Sequence, residues 1–277
     1  MLEDYKVWLV EGGKSESTIK TYILNVGLYM KWYQEAFGSE MAALLHSNVL
    51  DYRSYLQNVK KQKATGTNAK LAALISFNQF LTETGRQKGG AISKKDLLRI
   101  QAAYASPGEL TEKDVDAFRQ VILLESGTRD HALVTIMAYA GLRISETLNL
   151  GIEDVDLVGR QITVNKGKGN KERVVFIGDK IINAVKEYLK DLKPDCRWLF
   201  PGWGDKPLDR SAVNKLCNRY SENVTPHKLR HFYCSNALEK GYSFHEVANQ
   251  AGHSNIHTTL RYTNPTNKAM MEKANKL

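Results

Sequence analysis

Four short segments in the second half of this 277-residue chain gather side chains of the types that bind or attack phosphate. Ala140-Gly-Leu-Arg-Ile-Ser-Glu146 places Arg143 where a helix ends at Gly141, with Glu146 three residues on to hold its guanidinium. Lys166-Gly-Lys-Gly-Asn-Lys171 reads as a glycine-flanked hairpin tip whose lysines can reach a groove or a phosphate. Thr225-Pro-His-Lys-Leu-Arg-His231 starts a helix on a first-turn proline and sets His227 and Arg230 three apart on one face. A cation and a titratable imidazole pointing the same way make a good phosphate clamp. Ala251-Gly-His-Ser-Asn-Ile-His-Thr-Thr-Leu-Arg-Tyr262 sets His253 behind a helix end at Gly252 and Tyr262 nine residues later. Taken singly, each segment also has a plain structural reading. An Arg–Glu pair can brace a helix junction, lysines solvate a loop, and a tyrosine fills a core.

The elements that must position these groups are mostly helices. Ile19, Tyr22, Ile23, Val26, Tyr29, Met30 and Tyr33 fall at steps of three and four and form one helix stripe. Asn48 and Asp51 look like a cap pair for a second helix carrying Tyr52, Tyr55, Leu56 and Val59. A third follows Thr67, with Leu71, Leu74, Ile75, Phe77 and Leu81 inward. Their aromatics share the helical period and so belong to a core rather than a base-stacking platform. Ala105-Ser-Pro-Gly108 is a domain boundary of small residues with a helix breaker. Thr111 and Asp114 then cap a helix, and another spans about 129–141. Gln161–Val164 and Arg173–Ile177 read as β-strands around the glycine-rich tip. Helices follow over about 180–192, 209–221, 227–240, 243–250 and 255–262, with a tail helix from Pro265. The expected fold is therefore mainly α. A helical domain at 1–104 precedes an α-rich domain at 110–277 with one small antiparallel sheet, its tail helix at 265–277.

Composition narrows the partners. The net charge is +9, and residues 51–100 hold ten basic side chains against Asp51, Glu83 and Asp96. Such a surplus favours a polyanion. Lys60, Lys61, Lys63, Lys70, Arg86 and Lys88, together with the tip lysines Lys166 and Lys171, are the candidate contacts to such a polyanion. Three cysteines without a C-x-x-C pair exclude a disulfide scaffold or a cysteine zinc site and fit a reducing compartment. The N-terminus lacks an apolar signal core, and the apolar run near 132–142 is too short for a bilayer. The expectation is a soluble cytoplasmic protein without a membrane partner.

In this order, G-L-R-I-S-E, G-K-G-N-K-E-R, H-K-L-R-H and G-H-S-N-x-x-T-T-x-x-Y resemble the motifs of the tyrosine recombinase (phage integrase) family over the whole of 110–265. The N-terminal hundred residues, with S-x-S-T-I-x-x-Y at 15–22, are similar to that family's SAM-like core-binding domain. The resemblance implies a catalytic set of Arg143, Lys168, His227, Arg230, His253 and Tyr262. Lys168 is taken as the lysine of G-K-G in the matching hairpin. Asn264 stands where the family often has a histidine after the tyrosine.

The implied chemistry suits these residue types. Cleaving a DNA phosphodiester requires neutralising charge that grows in a pentavalent transition state. Arg143 and Arg230 can fork onto its non-bridging oxygens. Tyr262 would be the nucleophile, with His227 accepting its proton, Lys168 protonating the leaving 5′-oxygen and His253 donating to phosphate. No carboxylate cluster with metal spacing and no G-x-x-x-x-G-K-[ST] loop accompanies them, so no metal and no cofactor are expected. The implied partner is a double-stranded recombination site bound by a homotetramer, the tail helix passing to a neighbouring protomer. Length and a start in the core-binding helices resemble the simple Xer-type and transposon cointegrate resolvases. A topoisomerase of type IB character and a DNA-binding module without catalysis are the competing readings.

Overall fold

The computed structural model describes residues 1–100, 110–165, 172–192, 196–204 and 206–252. Its contacts divide the chain into two compact units, Met1–Ala102 and Ala103–Leu277. The fold is mainly α, with one small antiparallel sheet.

The first unit consists of α1 (Leu2–Glu11), α2 (Glu16–Phe37), α3 (His46–Ser54) and α4 (Ala64–Glu83), with a 3-10 turn at Lys94–Asp96. Ser15 caps α2 by accepting a hydrogen bond from the Thr18 amide at 3.3 Å. Helix α3 begins earlier than its polar pair suggested. Asn48 and Asp51 lie inside it, and Asn48 is buried. Packing of Val49, Tyr52 and Leu56 into the core fixes that start, overriding the capping preference of the pair. A π-helical turn at Tyr55–Val59 follows, and Lys61 turns the chain with φ +51 before α4. Tyr5, Tyr29, Tyr52, Phe77 and Phe80 interlock at the centre, with Tyr29 edge-on to Tyr52 and Tyr5 edge-on to Phe77. These aromatics are core.

In the second unit α5 (Glu112–Glu125) opens with the expected box. The Asp114 amide donates to the Thr111 hydroxyl, and the Thr111 amide donates back to the Asp114 carboxylate. Next come α6 (Thr128–Tyr139), α7 (Ile144–Leu148), β1 (Val155–Asp156), β2 (Gln161–Val164) and β3 (Arg173–Phe176). Helices α8 (Asp179–Leu189), α9 (Arg210–Tyr220), α10 (Pro226–Glu239) and α11 (Phe244–Ala251) complete the described part. Helix α6 is buried from Ala132 to Ala138 and packs against α5, α8 and α10, as a helix apolar on all sides must. The strands pair antiparallel in the order β1-β2-β3, with Ile162 opposite Val175 and Val164 opposite Arg173. Arg173 and Val175 thus share the inner face, while Val174 and Phe176 are exposed.

Several expectations lie outside the described residues. They are the boundary at 105–108, the tip lysines Lys166, Lys168 and Lys171, the residues His253 and Tyr262, and the helices at 255–262 and 265–277. Among the described residues, no helix is long and apolar enough to cross a membrane.

Candidate active site

The site is built on the turn that ends α6. Gly141 takes φ +66, and a Cβ there would lie 2.3 Å from Tyr233 Cδ1 of α10, so only glycine fits. One turn earlier on α10, Arg230 Nη1 donates to the Gly141 carbonyl, and the Arg230 side chain is buried. Thr225 caps α10 by accepting from the Lys228 amide at 3.2 Å, and Pro226 occupies the first turn. His227 therefore stands at the entrance of the helix whose inner face carries Arg230.

Arg143 immediately precedes α7. Its amide donates to Glu146 Oε2 at 2.8 Å, its Nη1 to Glu146 Oε1 at 2.9 Å, and its Nη2 to the Gly252 carbonyl at 2.7 Å. The carboxylate has a second partner. Arg173 Nη1 and Nη2 reach the same two oxygens at 3.0 and 2.8 Å, while Arg173 Nε donates to the Gln250 carbonyl at 3.1 Å. Gly252 also has a positive φ of +66, and a Cβ there would come within 2.6 Å of Arg173 Cζ. Three segments separated in sequence, Gly141–Glu146, Arg173 and the end of α11, are therefore tied together by two arginines that share one half-buried carboxylate.

Burial alone would raise the Glu146 pKa, but the Arg173 bonds, the Arg143 amide and the two positive charges outweigh it and hold the carboxyl at about 2. His227 Nε2 lies 2.7 Å from His231 Nε2, with the rings packed edge-on. Desolvation of the ring, and then the Arg230 charge, lower the His227 pKa below its ordinary 6.5. The imidazole is accordingly neutral near pH 7 and able to accept a proton.

A phage integrase family model matches residues 109–269, and that family's N-terminal SAM-like domain model matches residues 2–85. The chain belongs to the phage integrase family. It is 41% identical over 276 residues to a protein named TnP I resolvase from Bacillus thuringiensis, covering 98% of this chain and 97% of that protein. It is 28% identical over 281 residues to tyrosine recombinase XerA of Pyrococcus horikoshii, covering 98% and 91%. In fold it resembles the Tn1549 transposon integrase, solved in complex with a circular intermediate DNA. That likeness has a TM-score of 0.74 at 17% identity over 100% of this chain and 99% of the other.

In this family member Arg230 and Arg143 meet at one turn, and His227 lies three residues before Arg230 on α10. Two contributors had not been singled out from the sequence. His231 pairs with His227, and Arg173 joins Glu146. The signal for Arg173 was its register: strand alternation sets it inward with Val175, and an inward arginine needs a carboxylate.

The basic residues of the first unit do not form one cluster. Lys60, Lys61 and Lys63 sit between the π-helical turn and α4, with Lys70 farther along α4. Lys60 and Lys70 help line a cleft of about 260 Å³ floored by Trp32, Tyr52 and Tyr55. Arg86 and Lys88 follow the other end of α4, a 20-residue helix and hence roughly 30 Å long. Arg86 is committed elsewhere, 2.8 Å from the Asp4 carboxylate and over the Phe80 ring.

Proposed function

We propose that this chain is a site-specific tyrosine recombinase that cuts and rejoins double-stranded DNA through a 3′-phosphotyrosine intermediate. The observation that carries the reading is the Gly141 turn itself, which Arg230 grips and Arg143 follows, with His227 three residues before Arg230 on the same helix, in a member of this family. Arg143 and Arg230 hold the non-bridging oxygens of the scissile phosphate. The Tyr262 oxygen attacks phosphorus while His227 takes the phenol proton, and the P–O5′ bond breaks. Lys168 protonates the departing 5′-oxygen, and His253 donates to a phosphate oxygen. A 5′-hydroxyl from another strand reverses the same steps and reseals the backbone, so no external energy source is consumed.

Two recombination sites held by a homotetramer give that second strand, with the 265–277 tail of each protomer lodged on its neighbour. A head-to-tail exchange of this kind closes into a ring. Full-length similarity to a protein named a resolvase supports separation of joined DNA molecules as the outcome, in the cytoplasm where the DNA lies. A nicked suicide duplex and a supercoiled plasmid test the reading together. Covalent adduct with exchanged strands is expected. Relaxation of the plasmid by single protomers would indicate a topoisomerase, and binding without adduct an inactive module.

A further inference from the structure

Two arginines share Glu146, and they are employed differently. Among the described residues, Arg143 spends two of its five guanidinium N–H groups, on Glu146 and on the Gly252 carbonyl, and its side chain is 41% exposed. Arg173 is 13% exposed and makes four bonds: a fork onto both Glu146 oxygens and one bond each to the Gln250 and Ala251 carbonyls. Its donors are directed into the protein, where they also cap the negative end of α11. Arg143 is the one that faces solvent.

The charges set a problem that this arrangement solves. Glu146 fixes Arg143 by gripping both its amide and its guanidinium. A carboxylate that close would also cancel the positive charge a phosphate is meant to feel. We propose that Arg173 is a positioning residue that neutralises Glu146, so that Arg143 is held by the carboxylate yet keeps its charge for the phosphate. The Arg143–Glu146–Arg173 group carries a net charge of +1, whereas Arg143 and Glu146 alone would carry none. The proposal rests on the recombinase reading and adds to it a residue that touches no substrate.

The test measures the single-turnover rate of covalent adduct formation on a suicide duplex, with the dissociation constant for one site and the melting temperature measured in parallel. Adduct from the unsubstituted chain tests the recombinase reading by itself. Arg173→Gln is expected to slow adduct formation about tenfold or more while site affinity changes much less. Adding Glu146→Gln to that variant removes the unbalanced carboxylate and restores the net +1, so the double variant should be faster than Arg173→Gln alone. Arg173→Lys keeps the charge without the fork, and it should lie nearer the unsubstituted rate than Arg173→Gln does. A bracing role predicts the opposite, because each lost bond would add to the damage. A double variant as slow as Arg173→Gln or slower, or a lysine variant as slow as the glutamine one, would overturn the proposal. If Arg173→Gln does not fold, Arg173→Lys is compared with the unsubstituted chain alone: a rate within about threefold supports the proposal, and a loss of about tenfold or more overturns it.

Discussion

Arg230 of α10 donates to the carbonyl of Gly141, two residues before Arg143, so both guanidinium groups hang from one turn. Tyr233 lies against the bare face of that glycine and Arg230 is buried beneath it, so the turn cannot shift without dislodging both. Electrostatic catalysis needs this kind of preorganisation, because donors already in place cost no rearrangement when charge develops.

Cleavage should depend on an unprotonated His227. Its desolvation and the Arg230 charge both disfavour the imidazolium, so the rate should hold through neutral pH and fall only as pH drops below 6.5. A pH–rate profile of adduct formation checks this. His227→Gln should remove the acid limb, and a limb centred above 6.5 would contradict the assignment.

Stability should carry the mark of Glu146. Its carboxyl is depressed from 4.5 to about 2, so its contribution is complete above 4.5 and is lost as pH falls toward 2. Linkage puts that contribution on the order of 3 kcal/mol. Urea unfolding at pH 6 and pH 3 should show a smaller acid loss for Glu146→Gln than for the unsubstituted chain. Equal acid losses would mean that the carboxylate is not held as the structure indicates.

Much of this architecture was legible because helix periods and caps are local. The Thr111–Asp114 box and the Ser15 cap operate within one turn, and the stripe through Val26 and Tyr29 repeats along one helix. The link from Arg173 to Glu146 and to the α11 carbonyls joins residues far apart in sequence, and no periodicity records such a contact. Helix α7 and strand β1 are too short to display a period at all. At α3 the local signal misled, since burial of Val49 and Tyr52 outweighed the capping preference of Asn48.

The basic residues of the first unit should separate into two classes. Lys60, Lys61 and Lys63 are exposed on one connection, and neutralising all three should flatten the slope of log K against log salt by up to about 3. Arg86→Ala should leave that slope nearly unchanged and lower the melting temperature, because Arg86 is paired with Asp4 and stacked on Phe80. Salt titrations of DNA binding and thermal melts distinguish the two outcomes.

Removing residues 265–277 should leave single-site binding intact but abolish tetramers on paired sites and, with them, recombination. In the sequence, Met270, Ala274 and Leu277 fall at steps of four and three, the spacing expected of a short apolar helix stripe that must dock to be stable. Sedimentation and gel shifts on paired sites provide the readout. Normal assembly by the truncated chain would show that the tail packs within its own protomer.

The most direct test of the central claim is the fate of Tyr262 on a suicide duplex. The unsubstituted chain should become covalently joined to the 3′-phosphate, and peptide mapping should place the link at Tyr262. Tyr262→Phe removes one hydroxyl and no charge, so it should bind the site as well as before and form no adduct. Adduct that persists in purified Tyr262→Phe, or that maps to Tyr220 or Tyr233, would contradict the mechanism.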